Sequence, residues 1–214
     1  MSETHRGVHW NGVALERHRH VCLFYHSHDE EYRLLQSFIE EGFKGSDKGF
    51  HIIDARRRDD HLRRLKEFGI DVAGAAETGQ LEVRGWEDAH LRPGWFDQHA
   101  MLSLVEEVLD GAGRQGFPFT RWVANMGWAL EDHRGVHDVI EYCGRLNEVV
   151  PKYPATVVCT YDLNRFSASQ AIDVLRSHPV AVIGGTIQEN PYFVPPEELL
   201  RELRRDARPH TGVT

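Results

Sequence analysis

HVCLFYHSHDEEY, residues 20–32, decides the fold: a short apolar run leads straight into a helix start crowded with histidines and carboxylates. Residues 20–25 form a continuous apolar run, the pattern of a strand buried on both faces. The helix that follows spaces Leu34, Leu35, Phe38, Ile39 and Phe43 for one face. Its opening carries Ser27 and Glu30 at capping-box spacing, in which each side chain satisfies a free N–H of the first turn. In an α/β protein the turn after the first strand is where ligands are held. A nucleotide-binding chain places glycines and a lysine there, so that backbone N–H groups and an ammonium cradle phosphate. Residues 25–32 contain neither, and Asp29, Glu30 and Glu31 repel a phosphate. The place is right for a ligand and the chemistry is wrong for ATP.

Short apolar runs alternate with helical spacing along almost all of the chain. Strands are predicted at residues 20–25, 49–54, 81–84, 121–127, 155–161 and 180–184. Between them a helix at 59–68 turns Leu62, Leu65 and Phe68 inward and stops at Gly69. A helix at 96–112 buries Met101, Leu102, Leu104, Val105, Val108 and Leu109. Another at 136–150 buries Val136, Val139, Ile140, Cys143, Leu146 and Val150 before Pro151 ends it. A second capping box, Ser167 with Gln170, opens a helix through Leu175, and a short last helix is expected at 197–204. Gly184 and Gly185 allow a tight turn. The alternation predicts an α/β fold: three layers, with a mostly parallel central sheet flanked by helices. Residues 42–49, GFKGSDKG, have a phosphate-loop composition but follow a helix, precede a strand and lack Ser or Thr after the lysine. The chain is expected to divide into an N-terminal extension at 1–19, a single domain at 20–204 and a flexible tail at 205–214.

The formal net charge of −8 argues against a dedicated nucleic-acid or anionic-membrane surface. The basic cluster of Arg56, Arg57, Arg58, Arg63 and Arg64 is diluted by Asp59 and Asp60, as on a solvated helix face. Cys22, Cys143 and Cys159 are scattered in apolar contexts, the usage of buried free thiols in a reducing compartment. No run approaches the ~18 apolar residues of a membrane span, and the first twenty residues lack a signal-peptide h-region. The expected location is the cytoplasm.

The C-terminal ends of parallel strands line the binding crevice of such a sheet. Reading off those ends gives His26, His28, Glu30, Asp54, Asn125, Trp128, Tyr161 and Arg165 as candidate ligand-binding residues, with no catalytic set among them. Acids, histidines and aromatics suit an organic ligand held by apolar contact and oriented by a few polar groups. His26 and His28 with Asp29 or Glu30 could instead hold a metal, the alternative being exposed or capping side chains. His18 and His20 lie at the other end of the strand, on the order of 20 Å away at ~3.3 Å per residue, and cannot share a first shell with His26. Cys159, inside an apolar strand with no base nearby in sequence, reads as a buried structural thiol. Trp122 and Trp128 either line a pocket or pack in the core.

The order of motifs resembles the MEDS domains, a family of sensory domains of methanogen and methylotroph regulators. HVCLFYHSHDEEY (20–32), HIIDARRRDDHLRRL (51–65), FDQHAML (96–102), MGWALED (126–132), YDLNRF (161–166) and HPVAVIGGTIQENPYFVPPEEL (178–199) carry the resemblance. The family is similar to a RecA/KaiC-type ATPase core from which the phosphate loop (Walker A) has been lost. The resemblance implies a cytoplasmic signalling domain that senses a small, hydrocarbon-derived molecule and acts through a regulatory protein partner. It implies neither direct nucleic-acid binding nor membrane association. Relatives are joined to DNA-binding or kinase modules; this sequence contains neither, so a stand-alone sensor is expected, with a homodimer left open. The alternatives are a metal- or haem-binding protein using His26 and His28, and residual nucleotide binding or hydrolysis. No cofactor is assigned, and ATP is not expected.

Overall fold

The computed structural model describes residues 8–15 and 20–206. In chain order the strands are β1 (Val8–Trp10), β2 (Val13–Leu15), β3 (His20–Tyr25), β4 (Lys48–Ile53), β5 (Leu81–Gly85), β6 (Thr120–Asn125), β7 (Ala155–Asp162), β8 (Val180–Ile183) and β9 (Thr186–Glu189). The helices are α1 (His28–Lys44), α2 (Arg58–Glu67), α3 (Val72–Glu77), α4 (Gln98–Arg114), α5 (Val139–Val149), α6 (Ala168–Ser177) and α7 (Pro196–Asp206). A seven-stranded sheet runs in the order β5-β4-β6-β7-β3-β8-β9, parallel except for the β8–β9 pair. The α/β class and the six predicted sheet strands are present.

Because side chains alternate along a strand, each inner strand serves two cores. Val21, Leu23 and Tyr25 of β3 face Leu34, Leu35, Phe38 and Ile39 of α1, together with Val123 and Val158 of the neighbouring strands. Cys22 and Phe24 point the other way, with Trp122, Cys159 and Tyr161, against α4 and α5. Helices therefore cover both faces, and β3, paired with β7 and β8, has no free edge.

Several local features differ from the sequence expectation. Residues 8–15 fold as a β1–β2 hairpin on α1, where the indole N–H of Trp10 donates to the carbonyl of Leu34 at 2.9 Å. The strand expected at 49–54 ends at Ile53, and Asp54 instead caps the following turn by accepting from the N–H of Arg56. The strand expected at 121–127 ends at Asn125, and a 3-10 turn at Gly127–Leu130 takes up Trp128. On α2 the buried residues are His61 and Leu65; Leu62 and Phe68 are partly covered. Helix α4 starts at Gln98 because Asp97 caps it, accepting from the N–H groups of His99 and Ala100. The Ser167–Gln170 capping box forms in both directions. At Ser27 only half of it forms: Ser27 Oγ accepts from the N–H of Glu30, but the Glu30 carboxylate reaches past the cap to the N–H of His26 at 2.8 Å. The Gly184-Gly185 turn, with φ of 57° and 82°, joins β8 to the antiparallel edge strand β9, which sequence periodicity did not reveal. His18 and the tail from residue 207 lie outside the described residues.

Residues 42–49, set aside as a phosphate loop, carry a structural ion pair instead. Asp47 accepts from Arg121 Nε at 2.8 Å in the interior, and a second guanidinium N–H of Arg121 donates to the carbonyl of Phe38. Both partners are buried, so removing one leaves an uncompensated charge. Asp47→Ala is expected to cost about 3–5 kcal/mol of stability, against less than half of that for Arg63→Ala, whose exposed pair with Glu67 is a surface contact. Urea unfolding of both variants measures the difference.

Candidate functional site

The carboxyl ends of β3, β6 and β7 converge beneath the first turn of α1. Glu31 lies on the same stripe of α1 as Leu34, Leu35 and Phe38, which carries its carboxylate inward to 5% exposure. There it accepts a hydrogen bond from the Thr160 hydroxyl of β7 at 2.6 Å and one from the Asn125 amide of β6 at 3.2 Å. The Asn125 amide also reaches the phenolic oxygen of Tyr25 at 3.2 Å. Arg57 lies 3.8 Å from the carboxylate and His28 Nδ1 3.2 Å from it. His28 Nδ1 also touches the Arg57 guanidinium. One tautomer of His28 donates to Glu31 and the other accepts from Arg57, so this half-exposed ring has two alternative partners. Burial, followed by the Glu31 charge, raises the Tyr25 hydroxyl well above its ordinary range, so it stays protonated and able to donate.

A second chain of buried polar groups lies beside the first. The Tyr32 hydroxyl lies 2.6 Å from His61 Nδ1, and His61 Nε2 lies 3.0 Å from His51 Nδ1. Desolvation holds His51 down at about 4 and His61 well below the usual histidine range.

The residues read from strand ends divide into those at the rim and those in the core. Asn125 and His28 join the Glu31 network. Arg165 comes close, its guanidinium lying over Gly127, where an added Cβ would sit 3.2 Å from it and 3.0 Å from Asn125 Oδ1. Glu30 and His26 sit at the outer lip, tied to each other through the helix cap, while the Asn164 amide holds the carbonyl of His26. Asp54 is engaged by Arg56, whose hydrogen bonds hold its carboxyl below the usual range. Tyr161 is fully enclosed on the opposite face of the sheet, against Phe24, Phe166 and His178. Strand alternation gives Thr160 to the network and Tyr161 to the α5 side. Trp128 is also fully buried, stacked on His90 at 4.8 Å and packed on Phe96. Through His90 it backs a cleft of about 370 Å³ lined by Ala89, Arg92, Pro93, Asp97, Met101 and Leu104.

His26 and Asp29 are exposed, and Asp29 pairs with Arg64 at 2.6 Å. Among the described residues, the three His, Cys or carboxylate side chains close enough to share an ion are His20, Cys143 and His178. That cluster lies at the other end of β3.

The fold and this rim define an α/β domain in which the turn after β3 opens a helix carrying Asp29, Glu30 and Glu31 in its first turn. Residues 19–179 match the family model described as MEthanogen/methylotroph, DcmR Sensory domain, and the chain belongs to this MEDS family. It is 27% identical over 168 residues to the transcriptional repressor DcmR of Methylorubrum extorquens, covering 78% of this chain and 60% of the repressor's length. The KaiC-like protein PH0186 of Pyrococcus horikoshii superposes with a TM-score of 0.54 at 15% identity, over 76% of this chain and 69% of that one. That superposition places the fold with RecA-like cores. No helix among the described residues is long and apolar enough to cross a membrane.

Two predictions come from this geometry. Calorimetric titration with Mg-ATP should give no micromolar binding, since α1 presents Asp29, Glu30 and Glu31 in its first turn and no lysine. Stability should fall on acidification below about pH 6.5, because His51, His61 and His90 have folded pKa values below the unfolded one. The unfolded chain then binds the extra protons, and the loss continues toward the folded values of about 4 for His51 and about 3 for His90. His90→Phe removes a ring whose two nitrogens lack partners among the described residues and should flatten the pH dependence of urea midpoints by up to about one proton.

Proposed function

We propose that the chain is the ligand-sensing module of a signalling protein. A small organic molecule binds at the rim around Glu31, and the resulting state passes to a regulatory protein partner. Family membership supports the sensory role, and the repressor relative supports an output in transcription control. The observation that carries the site is Glu31: one buried carboxylate joins α1 to β6 and β7 and lies beside Arg57 of the β4–α2 connection. A ligand that donates a hydrogen bond there competes with Asn125, His28 or Arg57, and displacing Asn125 or Arg57 frees β6 or the β4–α2 connection from α1. Small alcohols or amines of hydrocarbon origin have this chemistry. His26, Glu30, Asp54 and Arg165 line the outer part of the site, with Trp128 and Tyr161 supporting it from the core. The location is cytoplasmic.

A second reading places the ligand in the cleft beside His90. Among the described residues, both ring nitrogens of His90 and the indole Nε1 of Trp128 are buried without hydrogen-bond partners. A neutral group with one donor and two acceptor lone pairs, such as an alcohol hydroxyl, matches the two N–H donors and one lone pair they present.

A thermal-shift screen of small alcohols, amines, alkyl halides and carboxylates separates the two. At the rim, shifts seen with the parent chain should fall at least about tenfold in apparent affinity in Asn125→Ala and Glu31→Gln, because each substitution removes or weakens a charge-assisted contact. His90→Phe should leave them intact. Shifts that survive both rim substitutions and vanish with His90→Phe would move the site to the cleft.

A further inference from the structure

The amino end of β3 holds a second cluster, in the interior between the sheet and α5. His20 opens β3, Cys159 lies in β7, Cys143 projects from α5, and His178 connects α6 to β8; none exceeds 1% exposure. One ligand atom each from His20, Cys143 and His178 lies within 4.8 Å of the other two. Cys159 Sγ stands outside that group of three but is 3.6 Å from His20 Nε2.

The hydrogen bonds behind the two imidazoles fix their tautomers. His178 Nδ1 lies 2.8 Å from the carbonyl of Val174, an acceptor, so Nδ1 carries the proton. Its Nε2 keeps a lone pair, and that atom is buried with no hydrogen-bond partner among the described residues. His20 Nδ1 lies 3.1 Å from Asn147 Oδ1. The Asn147 amide nitrogen already donates to the carbonyls of Cys143, Gly144 and Ser177, which leaves Oδ1 as the acceptor facing His20. His20 Nδ1 is therefore also protonated, and its Nε2 lone pair faces the thiols. Two histidines keyed from behind in this way have the arrangement that orients metal-ligating imidazoles. Cys22, the third cysteine, is directed elsewhere, toward the carbonyl of Val180.

We propose that His20, His178, Cys143 and Cys159 form a tetrahedral zinc(II) site that ties β3, β7, α5 and the α6–β8 connection together. Two imidazoles and two thiolates suit zinc. With a divalent ion they sum to no net charge, which the interior tolerates where an isolated charge is expensive. Zinc–ligand lengths of ~2.0 Å to nitrogen and ~2.3 Å to sulfur put neighbouring ligand atoms roughly 3.3–3.8 Å apart. The Cys159–His20 separation fits already; His20, Cys143 and His178 draw in from within 4.8 Å, and Cys159, which stands outside that spacing from at least one of them, closes on the ion with them. Without a cation, burial pushes the Cys143 thiol up to about 12 and Cys159 well above its usual value, so both stay protonated. As each zinc–sulfur bond forms, its thiol proton leaves to solvent: two protons are released per ion, and nothing is oxidised or reduced. All four positions are protein side chains, so the site is closed and structural rather than catalytic. The proposal is independent of the rim around Glu31.

The test titrates the full chain, stripped by a chelator under reducing conditions, with cobalt(II) and then zinc(II). One ion per chain is expected, with the visible bands of tetrahedral cobalt, a thiolate-to-cobalt charge-transfer band, and two protons released into weak buffer. Cys22→Ser should retain all three signals. Cys143→Ser and His178→Gln should weaken binding by roughly a hundredfold or more, with circular dichroism confirming that each still folds. Should those variants not fold, the cobalt spectrum of Cys22→Ser decides, because the chain has three cysteines and a two-thiolate site that survives loss of Cys22 must use Cys143 and Cys159. Absence of a thiolate–cobalt band in the folded parent chain overturns the proposal, as does a band that persists in Cys143→Ser and His178→Gln.

Discussion

Everything in this domain hangs on β3 having no free edge and no exposed face. With β7 on one side and β8 on the other, its pleat alone decides where each residue goes. Val21, Leu23 and Tyr25 build the α1 core, while His20, Cys22 and Phe24 build the opposite one. The turn out of the strand is only two residues, His26 and Ser27, so α1 starts directly above the ends of β6 and β7. That short connection carries Glu31 into contact with Asn125 and Thr160. A glycine-rich connection at the same point would instead open a cradle of backbone N–H groups for phosphate.

The electrostatics follow from this placement. A buried carboxylate is tolerated when hydrogen-bonded and paired, and Glu31 has a hydroxyl, an amide, an imidazole and a guanidinium around it. With Asp29 and Glu30 in the same turn, the positive end of the α1 dipole is already met by protein carboxylates. The rim is thus polar but closed to anions. Its contacts come from separate strands, so a molecule that exchanges for one of them alters how those strands are held together at their ends.

Much of the fold was legible in the sequence because buried parallel strands are short apolar runs and the helices between them are strongly amphipathic. What periodicity could not show was the β1–β2 hairpin, the edge strand β9 and the short helix α3, each too brief to establish a period. The site was legible by location and less so by residue. Asn125, at the end of β6, and His28, opening α1 just after β3, are residues that position alone brings to the candidate rim. Tyr161 and Trp128 went to the core, the first because Thr160 takes the network-facing register and the second because the turn after Asn125 folds it under His90. Glu31 was passed over in favour of Glu30, although its i+3, i+4 and i+7 relation to Leu34, Leu35 and Phe38 places a carboxylate on an apolar stripe. That signal was in the sequence. The pairing of His51 with His61, and of His20 with His178, was not, since long-range topology alone brings them together.

The central claim is that Glu31 and its partners are the sensing element. Two-dimensional NMR of the chain, titrated with the small alcohol or amine that gives the largest thermal shift, tests it most directly. The account predicts that the largest chemical-shift changes fall on Tyr25, His28, Glu31, Arg57, Asn125 and Thr160. Changes confined to His90, Met101 and Trp128, with the rim unmoved, would contradict it.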